Sequence, residues 1–331
     1  MSYRYGAASL NRATDFSAQT IYVIGGLYGN PFALDALLAL RHIEPGAQLV
    51  FNGDFNWFNI DDASFTRINT AVLAHRAIRG NVETELLADD AAAGCGCGYP
   101  DYVSDADVAR SNAMMGMLAE TARRHRGLSE RLAALPMNLV AGIETATGAV
   151  KVGIVHGDAE SLAGWAFGEE AIEPRNVAGM FERANLRVFA SSHTCLPVGE
   201  TYDTVATALG TCALFNNGAA GMPNFSGSVC GLMTRISALP APRALGALYG
   251  AVLEDAGASV HLDCVPLHYD QAAWLKHFDQ IWRADSPAAL SYRQRILNGP
   301  GYTLPQAMRG AVRPSDPAVH TYNAQDTVSA A

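Results

Sequence analysis

The amino-acid sequence predicts an α/β fold with two β-sheets, and three observations lead to this prediction. Short apolar runs alternate with helical patterns over the first eighty residues, which is typical of parallel strands joined by helices. Polar residues follow these runs directly, at the strand ends where open α/β sheets carry their sites. Between residues 204 and 264, short β-like runs alternate with glycine turns, which favours a second, mainly antiparallel sheet.

The alternation begins with an apolar run that ends in glycine at Gly25 and predicts a buried strand. Pro31 suits the first turn of the following helix, and Asp61 or Asp62 can cap the next one. The predicted elements of this region are a strand at 21–25, a helix at 31–40, a strand at 49–51, a helix from 61 or 62 to about 75 and a strand at 77–79.

The chain from residue 104 onward predicts six further elements besides the β-like runs at 204–264, separated by longer loops. Ser104 or Asp105 caps a long helix, and a Thr147-Gly148 turn joins the two strands of a hairpin. The predicted elements are a helix to Arg124, hairpin strands at 137–143 and 150–155, a strand at 187–190 and helices at 270–283 and 287–298.

This pattern divides the chain into an N-terminal segment (1–20), a main domain (21–269), a helical extension (270–313) and a flexible polar tail (314–331). Trp274, Phe278 and Trp282 recur four residues apart on the extension. This spacing predicts one apolar stripe that docks the helix on the body of the protein or on a second copy, as a homodimer.

The composition excludes several classes of protein. Apolar residues make up 49% of the 331 residues and charged residues 17%, which argues against disorder and against a coiled coil. The net charge is −9 with no run of Lys and Arg, so we expect no nucleic-acid-binding surface. No apolar stretch approaches 18 residues and the N-terminus has no continuous apolar segment, so we expect a cytoplasmic protein without a membrane span or secretory signal.

Six short polar motifs lie at the predicted strand ends, and together they favour a metal site. Asp, Asn and two His side chains from four separate strand ends would form an N/O shell for a divalent transition metal. Taken singly, Asp54 and Asn81 could be turn residues, and His156 and His193 could be core histidines. The motifs are Gly25-Gly-Leu-Tyr-Gly-Asn30, Gly53-Asp54, Arg79-Gly-Asn-Val-Glu83, His156-Gly-Asp158, Ser192-His-Thr-Cys195 and Asn217-Gly218.

The ordered series resembles that of the calcineurin-like metallophosphoesterases, over roughly residues 21 to 270. The resemblance implies a four-layer αββα sandwich with two mixed β-sheets between helices, and two metals that bind a phosphoryl group and activate a water. The motif Arg79-Gly-Asn-Val-Glu83 resembles the compact bacterial branch, in which this motif has no histidine. That branch implies a phosphodiester or nucleotide-type substrate.

Three positions depart from the family pattern, and all three would bind the first metal. Gly26 replaces an Asp, and Tyr28 and Cys195 replace His residues. The ligands of the second metal all carry over. The resemblance therefore implies one divalent transition metal (Mn, Fe, Zn or Ni) and the following roles: Asp54, Asn81, His156 and His193 as ligands; Asp54, His156 and His193 as catalytic residues; Asn30, Arg79 and Asn81 on the phosphoryl group.

The altered first site leaves several interpretations open. Tyr28 and Trp57 could pack into the space of the missing metal, or Tyr28 and Cys195 could ligate a ferric or softer ion. At the level of function, we expect a phosphoesterase acting on a small phosphorylated molecule. The alternatives are a non-hydrolytic binding or regulatory protein, and thiol or sulfur chemistry at Cys195 and the Cys95/Cys97 loop.

The six cysteines do not predict a disulfide framework, and we expect free thiols or thiols bound to a metal. The segment Gly94-Cys-Gly-Cys-Gly98 could be a metal clip, a redox pair, a persulfide carrier or a surface loop. Because it follows Asn81 closely, Cys95 and Cys97 could lie over the metal site beside Cys195. Cys212, Cys230 and Cys264 lie in β-like runs and are expected to be buried.

Overall fold

The structure is a computed structural model that describes residues 5–86, 94–203 and 209–315. Its strands are β1 (Phe16–Ala18), β2 (Thr20–Ile24), β3 (Gln48–Asn52), β4 (Arg76–Ile78), β5 (Asn138–Thr145), β6 (Gly148–Val155), β7 (Val188–Ser191), β8 (Pro197–Tyr202), β9 (Cys212–Asn217), β10 (Gly231–Ser237), β11 (Tyr249–Asp255), β12 (Ala258–Leu267) and β13 (Arg313–Pro314). Its α-helices are α1 (Pro31–Ala39), α2 (Asp62–Val72), α3 (Asn81–Glu85), α4 (Asp105–Arg124), α5 (Arg126–Ala133), α6 (Pro174–Ala184), α7 (Gln271–Ile281) and α8 (Pro287–Asn298).

The strands form two mixed sheets. The seven-stranded sheet has the order β13-β11-β12-β10-β2-β3-β4, with β2, β3 and β4 parallel and the other pairs antiparallel. The six-stranded sheet has the order β1-β5-β6-β7-β9-β8, in which β5/β6 and β8/β9 are antiparallel and the remaining pairs are parallel.

Three apolar layers hold the sheets and helices together. One lies between the sheets, where Val23 and Val50 of the first sheet meet Val152 and Ala190 of the second. A second buries the outer face of the seven-stranded sheet under most of the helices, and a third packs Phe181 of α6 on the outer face of the six-stranded sheet. Helices therefore flank two stacked sheets, which confirms the predicted α/β sandwich. No helix in the described ranges is long and apolar enough to cross a membrane.

The prediction of a separate antiparallel sheet at 204–264 is wrong. Strand β10 pairs with β12 and also with β2, so β10 to β12 extend the parallel strands in one sheet. Strand β9 instead pairs beside β7 in the other sheet. Local glycine and β-branched patterns predict that a segment is a strand but carry no information about its distant partner. The pattern also did not predict β1, which pairs with β5 and places part of the N-terminal segment in a sheet, or helix α6.

The C-terminal extension packs on the body of the protein. Trp274, Phe278 and Trp282 are each at most 1% exposed and lie in the same apolar layer as Phe58. The indole of Trp282 also donates to the carbonyl of Phe58 at 3.0 Å. The stripe is therefore used within this chain, and a homodimer would have to use another face of the extension. Of the predicted flexible tail, residues 316–331 lie outside the described residues.

Candidate metal centre

Four of the predicted ligands meet where strands of both sheets end. Asp54 follows β3 and Asn81 begins α3 directly after β4, while His156 follows β6 and His193 follows β7. The ligand atoms of Asp54, His156 and His193 all lie within 4.8 Å of one another. The Nε2 atom of His156 is central to the group: it lies 3.0 Å from Asn81 Oδ1, 3.1 Å from His193 Nδ1 and 3.3 Å from Asp54 Oδ2.

The hydrogen bonds around this group determine where the protons are. His156 Nδ1 faces the carbonyl oxygen of Asn52 at 2.8 Å, and His193 Nε2 faces that of Cys97 at 3.0 Å. A carbonyl only accepts, so each imidazole N–H is on the nitrogen that faces a carbonyl. The amide nitrogen of Asn81 likewise donates to the carbonyl of Cys95 at 3.0 Å, which turns its Oδ1 toward the centre.

Four lone-pair atoms therefore converge with no donor between them: Asp54 Oδ2, Asn81 Oδ1, His156 Nε2 and His193 Nδ1. Such an arrangement is stable only around a cation or an extra proton. Two imidazoles, a carboxylate and an amide oxygen form a ligand set for a divalent transition metal, and carbonyls that fix the imidazole tautomers are typical of metal sites. The residues thus fit the metal that the sequence predicted.

Burial and neighbouring charges set the protonation states of the predicted ligands. Burial, together with the charge of the neighbouring His156, lowers the pKa of His193 to about 4, so this imidazole is neutral. Burial by itself raises the pKa of Asp54, but the charge and hydrogen bond of His156 outweigh that effect and hold it below the usual value. Metal ligands must be deprotonated, and these two side chains already are. Burial by itself lowers the pKa of His156, but Asp54 outweighs that effect and raises it, so a bound metal would displace a proton from this imidazole.

Glu83 holds the backbone of the site, a role that the sequence analysis did not assign. Its carboxylate is fully buried and accepts four hydrogen bonds: from the backbone N–H groups of Asp54 (2.7 Å), Phe55 (3.1 Å) and Gly80 (3.1 Å), and from the Asn56 amide (3.2 Å). Burial and the charge of Asp54 raise the pKa of Glu83 to about 7. Through these hydrogen bonds, the Glu83 side chain joins the loop after β3 to the loop after β4.

The glycine–cysteine loop lies against the ligands, as predicted, but its thiols are not free. Cys95 and Cys97 form a disulfide, which corrects the expectation of free or metal-bound thiols for this pair. Gly94, Gly96 and Gly98 all have positive φ, and a Cβ at Gly96 would lie 2.9 Å from the Glu85 side chain. Alternating glycines therefore let the loop turn tightly enough to present its carbonyls to the site. Cys212, Cys230 and Cys264 are buried, as expected.

Tyr28 occupies the space beside Gly26. A Cβ at Gly26 would lie 2.4 Å from two atoms of the Tyr28 ring, so no larger residue fits there while Tyr28 is in place. The Tyr28 hydroxyl lies 2.8 Å from the sulfur of Cys195. Burial raises the pKa of both Tyr28 and Cys195. The geometry favours packing by Tyr28 over ligation by an ionised Tyr28–Cys195 pair.

A cavity of about 340 Å³ opens beside the metal ligands. Among the described residues that line it, Arg295 of α8 is the one Lys or Arg. Its guanidinium donates to the carbonyl of Cys195 at 2.5 Å. Sequence motifs could not identify Arg295, because it lies a hundred residues beyond Cys195 on a helix without a recognisable motif. Aromatic residues supply much of the remaining wall: Tyr28, Trp57, Tyr99, Tyr102, Trp165 and Tyr292.

Asn30 and Arg79, which the sequence predicted on the phosphoryl group, are not among the described residues that line this cavity. Asn30 is fully buried, and its side chain caps α1 by accepting from two backbone N–H groups and donating to the carbonyl of Gly221. Arg79 donates to the carbonyl of Ala133 at the end of α5. Both side chains are engaged in structural contacts.

Comparisons with known proteins identify the fold. No protein-family model and no curated protein sequence matches the chain. Among solved structures, a metallophosphoesterase from Sphaerobacter thermophilus is 16% identical with a TM-score of 0.52, over 86% of this chain and 100% of that one. A phosphoesterase, Yfce, from E. coli is 16% identical with a TM-score of 0.31, over 65% of this chain and 87% of that one.

A protein serine/threonine phosphatase from Saccharomyces cerevisiae is also similar, with 15% identity and a TM-score of 0.39, over 80% of this chain and 90% of that one. At these identities the similarity concerns the fold alone. The argument for the fold rests on the Sphaerobacter protein, with its TM-score of 0.52. The four-layer sandwich of this chain is thus a metallophosphoesterase-like fold.

Proposed function

We propose that this chain is a metal-dependent phosphoesterase that holds one divalent transition metal and acts on a phosphodiester or nucleotide-type small molecule. The observation that carries the proposal is the convergence of four lone-pair atoms, from Asp54, Asn81, His156 and His193, on one buried point beside a cavity. The fold shared with a metallophosphoesterase supports it. An ion bound there would polarise a phosphoryl oxygen and lower the pKa of a water molecule.

The chain's own residues account for the rest of the activity. Asp54 offsets part of the charge of the cation, and the fixed imidazole tautomers keep His156 and His193 ready to bind it. Arg295 lines the cavity and would attract an anionic phosphoryl group. The aromatic wall offers faces on which a nucleobase would stack, and stacking contributes about 1–3 kcal/mol per base. Together these features favour a nucleotide-type substrate.

A single metal is favoured by the residues around Tyr28. Its ring fills the space beside Gly26, and its hydroxyl contacts Cys195, so the three residues that would bind a first metal pack against one another. Asp54, His156 and His193 form the one group of three or more candidate ligands in the described parts of the chain.

A single metal also supports the alternative of a binding or regulatory protein on this scaffold, because one metal cannot clamp both the attacking and the leaving oxygen. The third interpretation, thiol or sulfur chemistry, has less support. Cys95 and Cys97 are joined to each other, and burial raises the pKa of Cys195, which disfavours a reactive thiolate.

The decisive experiment combines metal analysis with a panel of aryl phosphodiesters and nucleotides. We expect Mn²⁺-stimulated hydrolysis that falls at least about 100-fold in Asp54→Asn, because the carboxylate that balances the cation is lost. The matched control is Asp62→Asn, a surface carboxylate on α2 that lies outside the site and should leave the rate unchanged. Equal background rates in the wild type and in Asp54→Asn across the panel would favour the binding-protein alternative.

A further inference from the structure

The Tyr28 hydroxyl is a strong hydrogen-bond donor held by a weak acceptor. The sulfur of Cys195 lies 3.3 Å from the carbonyl oxygen of His193, which can only accept. The single thiol proton therefore points to that carbonyl. The sulfur in turn accepts the proton of the Tyr28 hydroxyl, 2.8 Å away. Sulfur is a poor acceptor, so this donor gains by moving to a better partner.

The backbone holds Tyr28 in position for such a partner. Tyr28, Asp54 and Cys195 have φ values of 52°, 53° and 61°, and they are three of the five non-glycine residues with positive φ in the described ranges. Backbone conformations of this kind persist at functional sites when the surroundings hold them in place. The Tyr28 N–H donates to the carbonyl of Asp54, and Arg295 donates to that of Cys195, so both ends of the hydroxyl–sulfur contact are anchored.

The Tyr28 side chain lines the same cavity as the metal ligands. It is 3% exposed, and the cavity wall also includes Asp54, Asn81 and His193. A phosphoryl group bound to a metal at these ligands would thus lie in the space that the hydroxyl adjoins. Its oxygens are anionic, and hydrogen bonds to charged acceptors are about twice as strong as those between neutral groups.

We infer that Tyr28 is a catalytic residue whose hydroxyl leaves the Cys195 sulfur and donates a hydrogen bond to a phosphoryl oxygen of the bound substrate. One O–H···S contact is exchanged for one O–H···O contact, no proton is transferred, and the thiol keeps its bond to the His193 carbonyl. This inference rests on the proposed function, since it requires a phosphoryl group at the metal ligands. It assigns to Tyr28 a role beyond packing against Gly26.

The test measures the binding of inorganic phosphate to Mn²⁺-loaded protein by calorimetry. Tyr28→Phe removes only the hydroxyl, and we expect phosphate affinity to fall about 10- to 100-fold while Mn²⁺ content and melting temperature stay the same. The rate of phosphodiester hydrolysis should fall about 10²- to 10³-fold, as for other oxyanion donors. The matched control is Tyr302→Phe, whose buried hydroxyl bonds to the carbonyl of Pro197 outside the cavity.

A second pair of variants keeps the inference testable if Tyr28→Phe does not fold. In Cys195→Ser, the hydroxyl oxygen is a stronger acceptor and competes with phosphate for the Tyr28 proton, so phosphate should bind more weakly than in the wild type. In Cys195→Ala the competitor is absent, and phosphate should bind at least as tightly as in the wild type.

Three outcomes would overturn the inference: equal phosphate affinity in the wild type, Tyr28→Phe and the two Cys195 variants; loss of metal from Tyr28→Phe together with a phenolate-to-metal absorption band in the wild type; or no phosphate binding by wild-type protein that has taken up Mn²⁺. Failure of the proposed function looks different. A wild type that binds phosphate through Tyr28 but hydrolyses nothing on the panel would remove the phosphoesterase proposal and support the role of Tyr28 in binding.

Discussion

The carbonyl oxygen of Cys97 accepts the Nε2 proton of His193 at 3.0 Å, and the same oxygen accepts the indole N–H of Trp165 at 3.0 Å. Two residues earlier, the carbonyl of Cys95 accepts the Asn81 amide. The glycine–cysteine loop therefore acts on the metal site through its backbone, while its sulfur atoms close the loop. The loop fixes the tautomer of His193 and the orientation of the Asn81 amide.

Opening the disulfide should weaken metal binding. In the double variant Cys95→Ala/Cys97→Ala, we expect Mn²⁺ affinity to fall about 10- to 100-fold, because groups that orient metal ligands typically have effects of this size. A phosphine reductant and water convert the disulfide to two thiols and a phosphine oxide. This treatment should also lower the Mn²⁺ affinity of the wild type. Titration calorimetry measures the affinity, and the double variant, which should not respond to the phosphine, is the control. Identical affinities in all states would contradict this role of the loop.

Metal content should be one divalent transition metal per chain. His193→Ala removes one of the four converging atoms, and we expect most of the metal to be lost on dialysis. Elemental analysis of purified protein gives the stoichiometry. Substitution of His125, an imidazole that pairs with Asp62 on the surface, should leave the metal content unchanged. Two tightly bound metals per chain would instead indicate a rebuilt first site.

Glu83→Gln should destabilise the protein and disturb the metal site together. Each carboxylate oxygen accepts two hydrogen bonds, and the amide NH₂ that replaces one oxygen would face donors. A buried donor left unpaired costs about 1–3 kcal/mol, so we expect the free energy of unfolding to fall by about 2–4 kcal/mol. Denaturant unfolding of the metal-free protein measures this. Glu85→Gln makes the same chemical change at a half-buried position and should have little effect; equal effects would argue against the network.

Gly26→Asp should not restore a first metal site while Tyr28 is present. The added Cβ would lie 2.4 Å from the Tyr28 ring, and overpacking of this kind costs about 1–3 kcal/mol of stability. Tyr28→Ala in the same chain should relieve the cost, which appears as coupling in a double-mutant cycle of melting temperatures. Gly227→Asp separates this clash from backbone strain, because Gly227 also has positive φ but nothing lies near its Cβ. Additive effects at 26 and 28 would contradict the contact.

Arg235→Met, a substitution on β10, should destabilise the seven-stranded sheet. The Arg235 side chain is fully buried and pairs with Glu44 at 2.7 Å and with Asp263 at 2.9 Å. Removing one partner of a buried ion pair typically costs about 3–5 kcal/mol, because the remaining charges stay buried. Arg293→Met is the control, since its pair with Asp279 is exposed and should contribute less than about 1 kcal/mol. Chemical denaturation distinguishes the two; similar losses would overturn the assignment.

Local patterns predicted much of the fold. The run from β2 to β4 and the helices between them follow the predicted order, and α4 and α8 begin and end close to the predicted residues. These elements depend on periodicity and caps within a few residues, as with the Ser104 side chain that accepts from the Asp107 N–H. The four residues that converge were also named from the sequence, because each directly follows a predictable strand.

The amino-acid sequence by itself determined many of the strands and helices and which polar residues end the strands, whereas the departure of Gly26, Tyr28 and Cys195 from a two-metal pattern stays a prediction. Only the tertiary structure decided that β10 joins β2, that Cys95 and Cys97 pair and present their carbonyls to Asn81 and His193, and that Arg295 reaches the cavity. The physical reason is distance along the chain. A hydrogen bond such as that between Arg295 and the Cys195 carbonyl joins residues a hundred positions apart, and it exists only after every element between them has packed.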